Sequence, residues 1–307
     1  MSPIEGQSTG VLVWWAILTT ASAVNIVFWI VVARRFAQKA PSMEPSVRRT
    51  RKWQLALAAI FMLGCAFRSL LPRAEGQRIV LYDSWLSAVV ISRAVATVAE
   101  LSLVAQWTIF VREYARGVNA RLALALSWLF IPLIMNAEIF SWYTTLTTNF
   151  IGSCVEESTW AVTAFLMVVS FSTLWRRYTG ARRRIIGVCI ASLTVYFIFM
   201  CSVDVPMYRS RYRADQARGK QYLSVADGWA DASTRRVLTR RWVDWRDEMP
   251  WMSLYFTAGV WISISMIRVR PYRDARLAAE SARAGSEQTG APPGLIREPP
   301  VRNESVT

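Results

Sequence analysis

Histidine is missing from all 307 residues of the chain. That absence removes His-ligated zinc, di-iron histidine boxes and every Ser-His or Cys-His catalytic arrangement from the chemistry this polypeptide can supply. Lysine is nearly missing: it stands only at positions 39, 52 and 220, so the long apolar stretches hold no amine for a Schiff base. The four cysteines, Cys65, Cys154, Cys189 and Cys201, form no CxxC pair; three fall toward the outer side, where a disulfide is conceivable, but they read better as small core fillers. No glycine-rich phosphate loop is present, which excludes P-loop nucleotide hydrolysis. No internal repeat is detectable, so an inverted-repeat transporter gains no support.

What the sequence does have is apolar length. It is 53% hydrophobic with 15 tryptophans, and the apolar residues are gathered into runs instead of amphipathic stripes. A hydrocarbon core about 30 Å thick needs roughly 20 apolar residues per helical span. Seven segments qualify, at about 11–33, 53–71, 84–110, 122–141, 155–175, 185–206 and 250–267. The fold class expected is all-α: a polytopic bundle of seven transmembrane helices occupying residues 1–270. No segment reads as a cleavable signal, and the first span is expected to stay as an anchor.

Charge sets the expected orientation. The tail MSPIEGQSTG carries no Lys or Arg, whereas the next loop carries Arg34, Arg35, Lys39, Arg48, Arg49, Arg51 and Lys52. The positive-inside rule then puts the N-terminus outside and the C-terminus in the cytoplasm. The formal net charge of +15 is concentrated beside apolar spans, which implies anionic lipid head groups as partners and not nucleic acid. Arginine far outnumbers lysine, the coding bias of a GC-rich bacterium, so the expected location is a bacterial inner membrane. Residues 271–307 are rich in Pro, Gly, Ser and charge and read as a disordered cytoplasmic tail.

One segment dissents. From about 208 to 249 an external loop carries ten basic and six acidic residues on the side expected to be poor in basic ones. Leu238, Trp242, Trp245 and Met249 recur there at helical spacing, which fits an amphipathic helix in the membrane interface; a cap over the bundle fits equally.

Depth singles out the candidate site. Wound as a helix, the third span puts Asp83, Arg93, Thr97 and Glu100 on one stripe, with Arg93 and Glu100 two turns apart, about 10 Å along the axis. Lipid penalises either charge by several kcal/mol, so the stripe should face the bundle interior. Arg68, Glu138, Glu156, Glu157 and Asp204 fall in the outer halves of their spans, and Asn136 thickens the same layer. No ionisable residue falls in the inner half of any span. A polar cavity in the outer half follows.

A lysine-bound retinal is excluded, although the seven spans match that layout. A G-protein-coupled receptor is excluded at its motifs: the third span ends Val111-Arg112-Glu113-Tyr114 instead of acidic-Arg-aromatic, and the seventh has no NPxxY-like sequence. Asp83, Glu100, Glu138 and Asp204 could hold a hard divalent cation, but nothing in their spacing demands a metal, and no cofactor is indicated.

The reading ranked first is a membrane-embedded enzyme acting on a lipid or isoprenoid-like substrate. Glu100, Glu138 and Asp83 would serve as acid or base, with Arg93, Arg68, Asn136, Asp204 and Glu156 binding the substrate. Trp85, Trp142, Tyr143, Trp160 and Trp251 would shape an apolar pocket or form the interfacial belt. The alternatives are a sensor binding a small apolar or amphipathic ligand, and a carrier of protons or a small solute.

Overall fold

The computed structural model describes residues 9–74 and 77–268; the expected tail 271–307 lies outside them. Among the described residues, seven helices are long and apolar enough to cross a membrane: Thr9–Ser42, Pro45–Leu70, Val89–Gly117, Arg121–Thr147, Phe150–Trp175, Gly180–Ala217 and Met249–Arg268. The chain is therefore a multi-pass membrane protein. Its outer shell agrees, since Val13, Ile17, Ile139, Val188, Val195 and Leu254 all stand exposed on the spans. An apolar surface of that extent is stable only against lipid.

The helices overrun the sequence expectation mostly at their ends, where polar caps extend them. Glu44 accepts a hydrogen bond from the Val47 amide to start the second span, and Asn149 accepts one from Ile151 to start the fifth. Between the fourth and fifth spans the chain reverses at Thr148 in the left-handed region, φ 60°.

The first, second, third and seventh spans share one core, with Phe61, Met62, Ala99, Phe256, Val260 and Ile264 among its buried members. A Cβ on Gly64 would lie 2.8 Å from the Ala99 Cβ, so the second span approaches the third at van der Waals range one turn below Arg68. The fourth and fifth spans pack on the other side of the third. The sixth leans mainly on the fifth, with 11% of its apolar stretch buried, which leaves a cleft toward the third and seventh spans. The sixth and seventh spans each carry one π-helical segment, Met200–Asp204 and Tyr255–Gly259. In the seventh, Asn25 of the first span donates to the Phe256 carbonyl at 2.9 Å and accepts from the Trp261 indole at 2.7 Å, satisfying a backbone group that the irregular turn releases.

At one end of the bundle, called here the cap end, residues 72–74, 77–88 and 218–248 form a folded lid. Strands β1 (Arg73–Ala74) and β2 (Ile79–Val80) pair antiparallel, and β3 (Val237–Leu238) adds in parallel, Ile79 opposite Val237. Trp245 is wholly buried among Val11, Ala74, Ile79, Leu81 and Met249. The expected amphipathic helix is corrected accordingly: Leu238 belongs to a strand, Trp242–Trp245 is a single helical turn, and Leu238 and Trp242 stand exposed. Strand pairing across some 160 residues overrides the local spacing. The helix Val225–Thr234 lies on the fourth span so closely that a Cβ at Gly228 would collide with the Leu146 carbonyl. Arg78 fastens it, donating to Asp231 at 2.9 Å and to the Thr145 carbonyl at 2.8 Å.

Candidate functional site

Arg93, Thr97 and Glu100 follow one another at helical spacing on the third span and point inward, as their sequence register requires. Facing them, the fourth span buries Ile134, Glu138, Ser141 and Thr145, one stripe at the same spacing. Between the two, Arg93 Nη2 donates to Glu138 Oε2 at 2.7 Å and lies 3.5 Å from Glu100 Oε2. Its other arm, Nη1, lies 3.9 Å from Glu156 Oε1 on the fifth span. Three carboxyl groups thus converge on one guanidinium, with Arg93 6% and Glu138 3% exposed.

Neutral donors complete the centre. Thr97 donates its hydroxyl to Glu138 Oε2 at 2.5 Å, and the Trp142 indole donates to Thr97 at 3.1 Å. The second carboxyl oxygen of Glu138, Oε1, is buried and accepts no hydrogen bond from the described residues. The fifth span reaches Arg93 because Gly152, one turn before Glu156, touches the Phe140 carbonyl and Thr144 of the fourth span where any side chain would collide.

The rest of the polar layer surrounds this centre at longer range. Glu157 lies within electrostatic reach of Glu156, Asp204, Glu100 and Arg93. Asp204 sits in the π-helical segment of the sixth span and faces Arg211. Arg68 is buried, its guanidinium 5.7 Å from the Trp251 ring and 5.6 Å from Phe256, and it acts electrostatically on Glu100. Tyr196 and Tyr255, not singled out by the sequence, complete the circle: both lie within reach of Glu100. Nothing in the sequence flags them, since tyrosine in an apolar span reads as core or belt.

No known protein guides the reading: the chain matches no family model, no curated protein and no solved structure.

Two expected members stand elsewhere. Asp83 is not on the third span, which begins at Val89; it is exposed in the lid, ion-paired with Arg236 at 2.6 Å. Ser84 caps a short 3-10 turn there and extended Ala88 separates it from the helix. Asn136 is exposed on the fourth span, two residues and therefore about 200° around the helix from Glu138. Cys201 is exposed as well, so it is no core filler, whereas Cys65 is buried; all four cysteines are free thiols.

Among the described residues, no three of Asp, Glu, Cys and His are gathered as a metal-ligand set. The position a cation would take between Glu100, Glu138 and Glu156 is held by the Arg93 guanidinium. Beside the centre lies an open, apolar groove of about 430 Å³, lined by Trp85, Val90, Ile91, Ala94, Trp142 and Trp229. Trp142 stacks on Trp229 with ring centroids 6.2 Å apart. One residue, Trp142, thus forms both a wall of the groove and the second link to Glu138.

Toward the opposite, basic end, the polar groups of the interior are neutral. Gln54 and Gln106 donate to each other's backbone carbonyls at 3.0 Å, and Ser263 donates to Gln106 Oε1 at 2.5 Å. This knot ties the second, third and seventh spans together, with Gln106 and Ser263 fully buried. It was missed in the sequence because neutral amides carry no charge to betray their depth.

Proposed function

We propose that this protein is a membrane-embedded enzyme that uses the Glu100–Arg93–Glu138 group for acid/base chemistry on a lipid or isoprenoid-like amphiphile. The observation that carries the reading is the convergence of Glu100 and Glu138 on a single nitrogen of Arg93. Two carboxyl groups held against one cation in a dry pocket trade a proton readily, because a proton gained by one is a charge relieved for the other. Arg93 orients Glu138, Thr97 fixes the oxygen that takes the guanidinium, and the free Oε1 is left to face a substrate atom. The groove at Trp85, Trp142 and Trp229 suits the apolar part of such a substrate. The N-terminus and the lid lie on the outer side in this reading, by the charge of the loops.

A sensor remains the second reading, supported by the same apolar groove. A carrier is disfavoured by the neutral Gln54–Gln106–Ser263 knot, since amides and a hydroxyl bonded to one another offer no ionisable relay onward from Glu100.

Comparison of the lipids of a deletion strain with strains restored by the parent gene or by Glu100→Gln tests the proposal. A lipid class that changes on deletion and returns with the parent gene but not with Glu100→Gln is expected. Unchanged lipids, or full restoration by Glu100→Gln at normal protein level, overturn it.

A further inference from the structure

The cleft between the sixth span and the third and seventh contains a second groove, of about 310 Å³, lined by Trp107, Phe110, Ile185, Cys189, Ala258 and Ile262 among others. That volume is within the range of ligand pockets, about 300–1,000 Å³. Its walls come from three spans, and each wall carries a polar group farther toward the cap end. On the third span Glu100 stands seven residues before Trp107, on the same face and about 10 Å along the axis. On the sixth, Tyr196 stands seven residues after Cys189, a span of opposite direction. On the seventh, Tyr255 stands three residues before Ala258 and seven before Ile262. These three polar groups lie within electrostatic reach of one another. The Tyr255 hydroxyl is buried and makes no hydrogen bond among the described residues.

We propose that this cleft is a lipid-chain binding site open sideways to the membrane, which takes the tail of an amphiphile with a hydrogen-donating head and brings that head to Tyr255, Tyr196 and Glu100. The occupant follows from position. A groove whose open side faces hydrocarbon is filled by hydrocarbon, since water there finds no partners. The sixth span buries only 11% of its apolar stretch, so it walls this groove off weakly from the surrounding lipid. The head follows from charge. Glu100, a carboxyl already sharing Arg93 with two others, gives the end of the groove an acceptor to offer, so an alcohol or amine is accepted and a further carboxylate repelled. Along the third span the groove begins about two helical turns from Glu100, whereas the Trp142 groove adjoins the centre through Thr97.

The inference rests on the reading of Arg93, Glu100 and Glu138 as the binding centre, and the test separates the two. The full-length protein in nanodiscs is photolabelled with a long-chain alcohol carrying a diazirine near its tail, and the labelled peptides are mapped. Labelling concentrated at 185–189 and 258–266 is expected, at least tenfold weaker in Ala258→Phe and at least tenfold weaker with the fatty acid of equal length. Glu100→Gln is expected to retain the tail labelling and to lose the preference for the alcohol. Label spread over all lipid-facing helices, or unaffected by Ala258→Phe in a protein that still elutes as a single folded species, overturns the site. Specific labelling together with unchanged lipids in the deletion strain leaves the groove standing and removes the enzyme. Changed lipids with diffuse labelling do the reverse.

Discussion

Arg93 and Glu138, 45 residues apart in the chain, meet at 2.7 Å between the third and fourth spans with almost no exposure on either side. Removing one partner of such a pair leaves an uncompensated buried charge. Arg93→Ala is therefore expected to destabilise the protein by about 3–5 kcal/mol, whereas Arg93→Met combined with Glu138→Leu regains only part of the loss, because Glu100 and Glu156 lose the same cation. Thermal unfolding in nanodiscs reads both, and equal stability of Arg93→Ala and the parent would mean that the centre is wet. The double variant is expected to be inactive although more stable than Arg93→Ala, which separates folding from function.

Gly152 sets the distance from Glu156 to Arg93. Gly152→Ala forces a Cβ into the Phe140 carbonyl and Thr144. The fifth span must then shift, at a cost of about 1–3 kcal/mol for overpacking. The same substitution at Gly219, which has open space around it, costs only the strain of its positive φ, about 1 kcal/mol. Activity is expected to fall at least tenfold in Gly152→Ala and to be kept in Gly219→Ala; the reverse order would sever the fifth span from the site.

Asn25→Leu removes the donor to the Phe256 carbonyl and the acceptor of the Trp261 indole. A loss of about 1–2 kcal/mol is expected, in the upper part of what interhelical hydrogen bonds contribute in membranes. Faster amide exchange should be confined to the π-helical turn of the seventh span. Protection unchanged at Tyr255–Gly259 would show that the turn is held without the first span.

Acid should loosen the lid before the bundle. The Thr239 hydroxyl at 2.6 Å and the Arg241 guanidinium at 2.8 Å hold the Asp244 carboxyl below the usual carboxylate range. A depressed value in the folded state means that the contribution is present above the unfolded value, about 3.9, and is lost as pH falls through the lower folded one. Hydrogen exchange at 239–249 is expected to rise below about pH 4 in the parent. In Asp244→Asn it should already be raised at pH 7 and lack that acid step. An identical acid step in both proteins would assign it to another group.

The seven spans were legible because a bilayer leaves little choice: every crossing needs its length of apolar residues, and the charges between them lie at the ends. The register of Arg93, Thr97 and Glu100 on one face was equally legible, being fixed by helical geometry alone. Depth, however, does not give rotation. Asn136 and Glu138 lie at nearly the same level, and only helix packing decides that one faces the interior and the other the surroundings. The lid was illegible for a different reason. Val237 finds Ile79 across the whole bundle, and no local pattern in Leu238–Met249 announces a partner so distant in the chain. Asp83 was drawn into the third span by the apolar residues after it, and Ser84 and Ala88 end that illusion with a capped turn and an extended residue.

The glutamine knot has a mechanical consequence. Because Gln54, Gln106 and Ser263 belong to three different spans and bond to one another, a displacement of any one of those spans at that level must drag the other two or break the bonds between them.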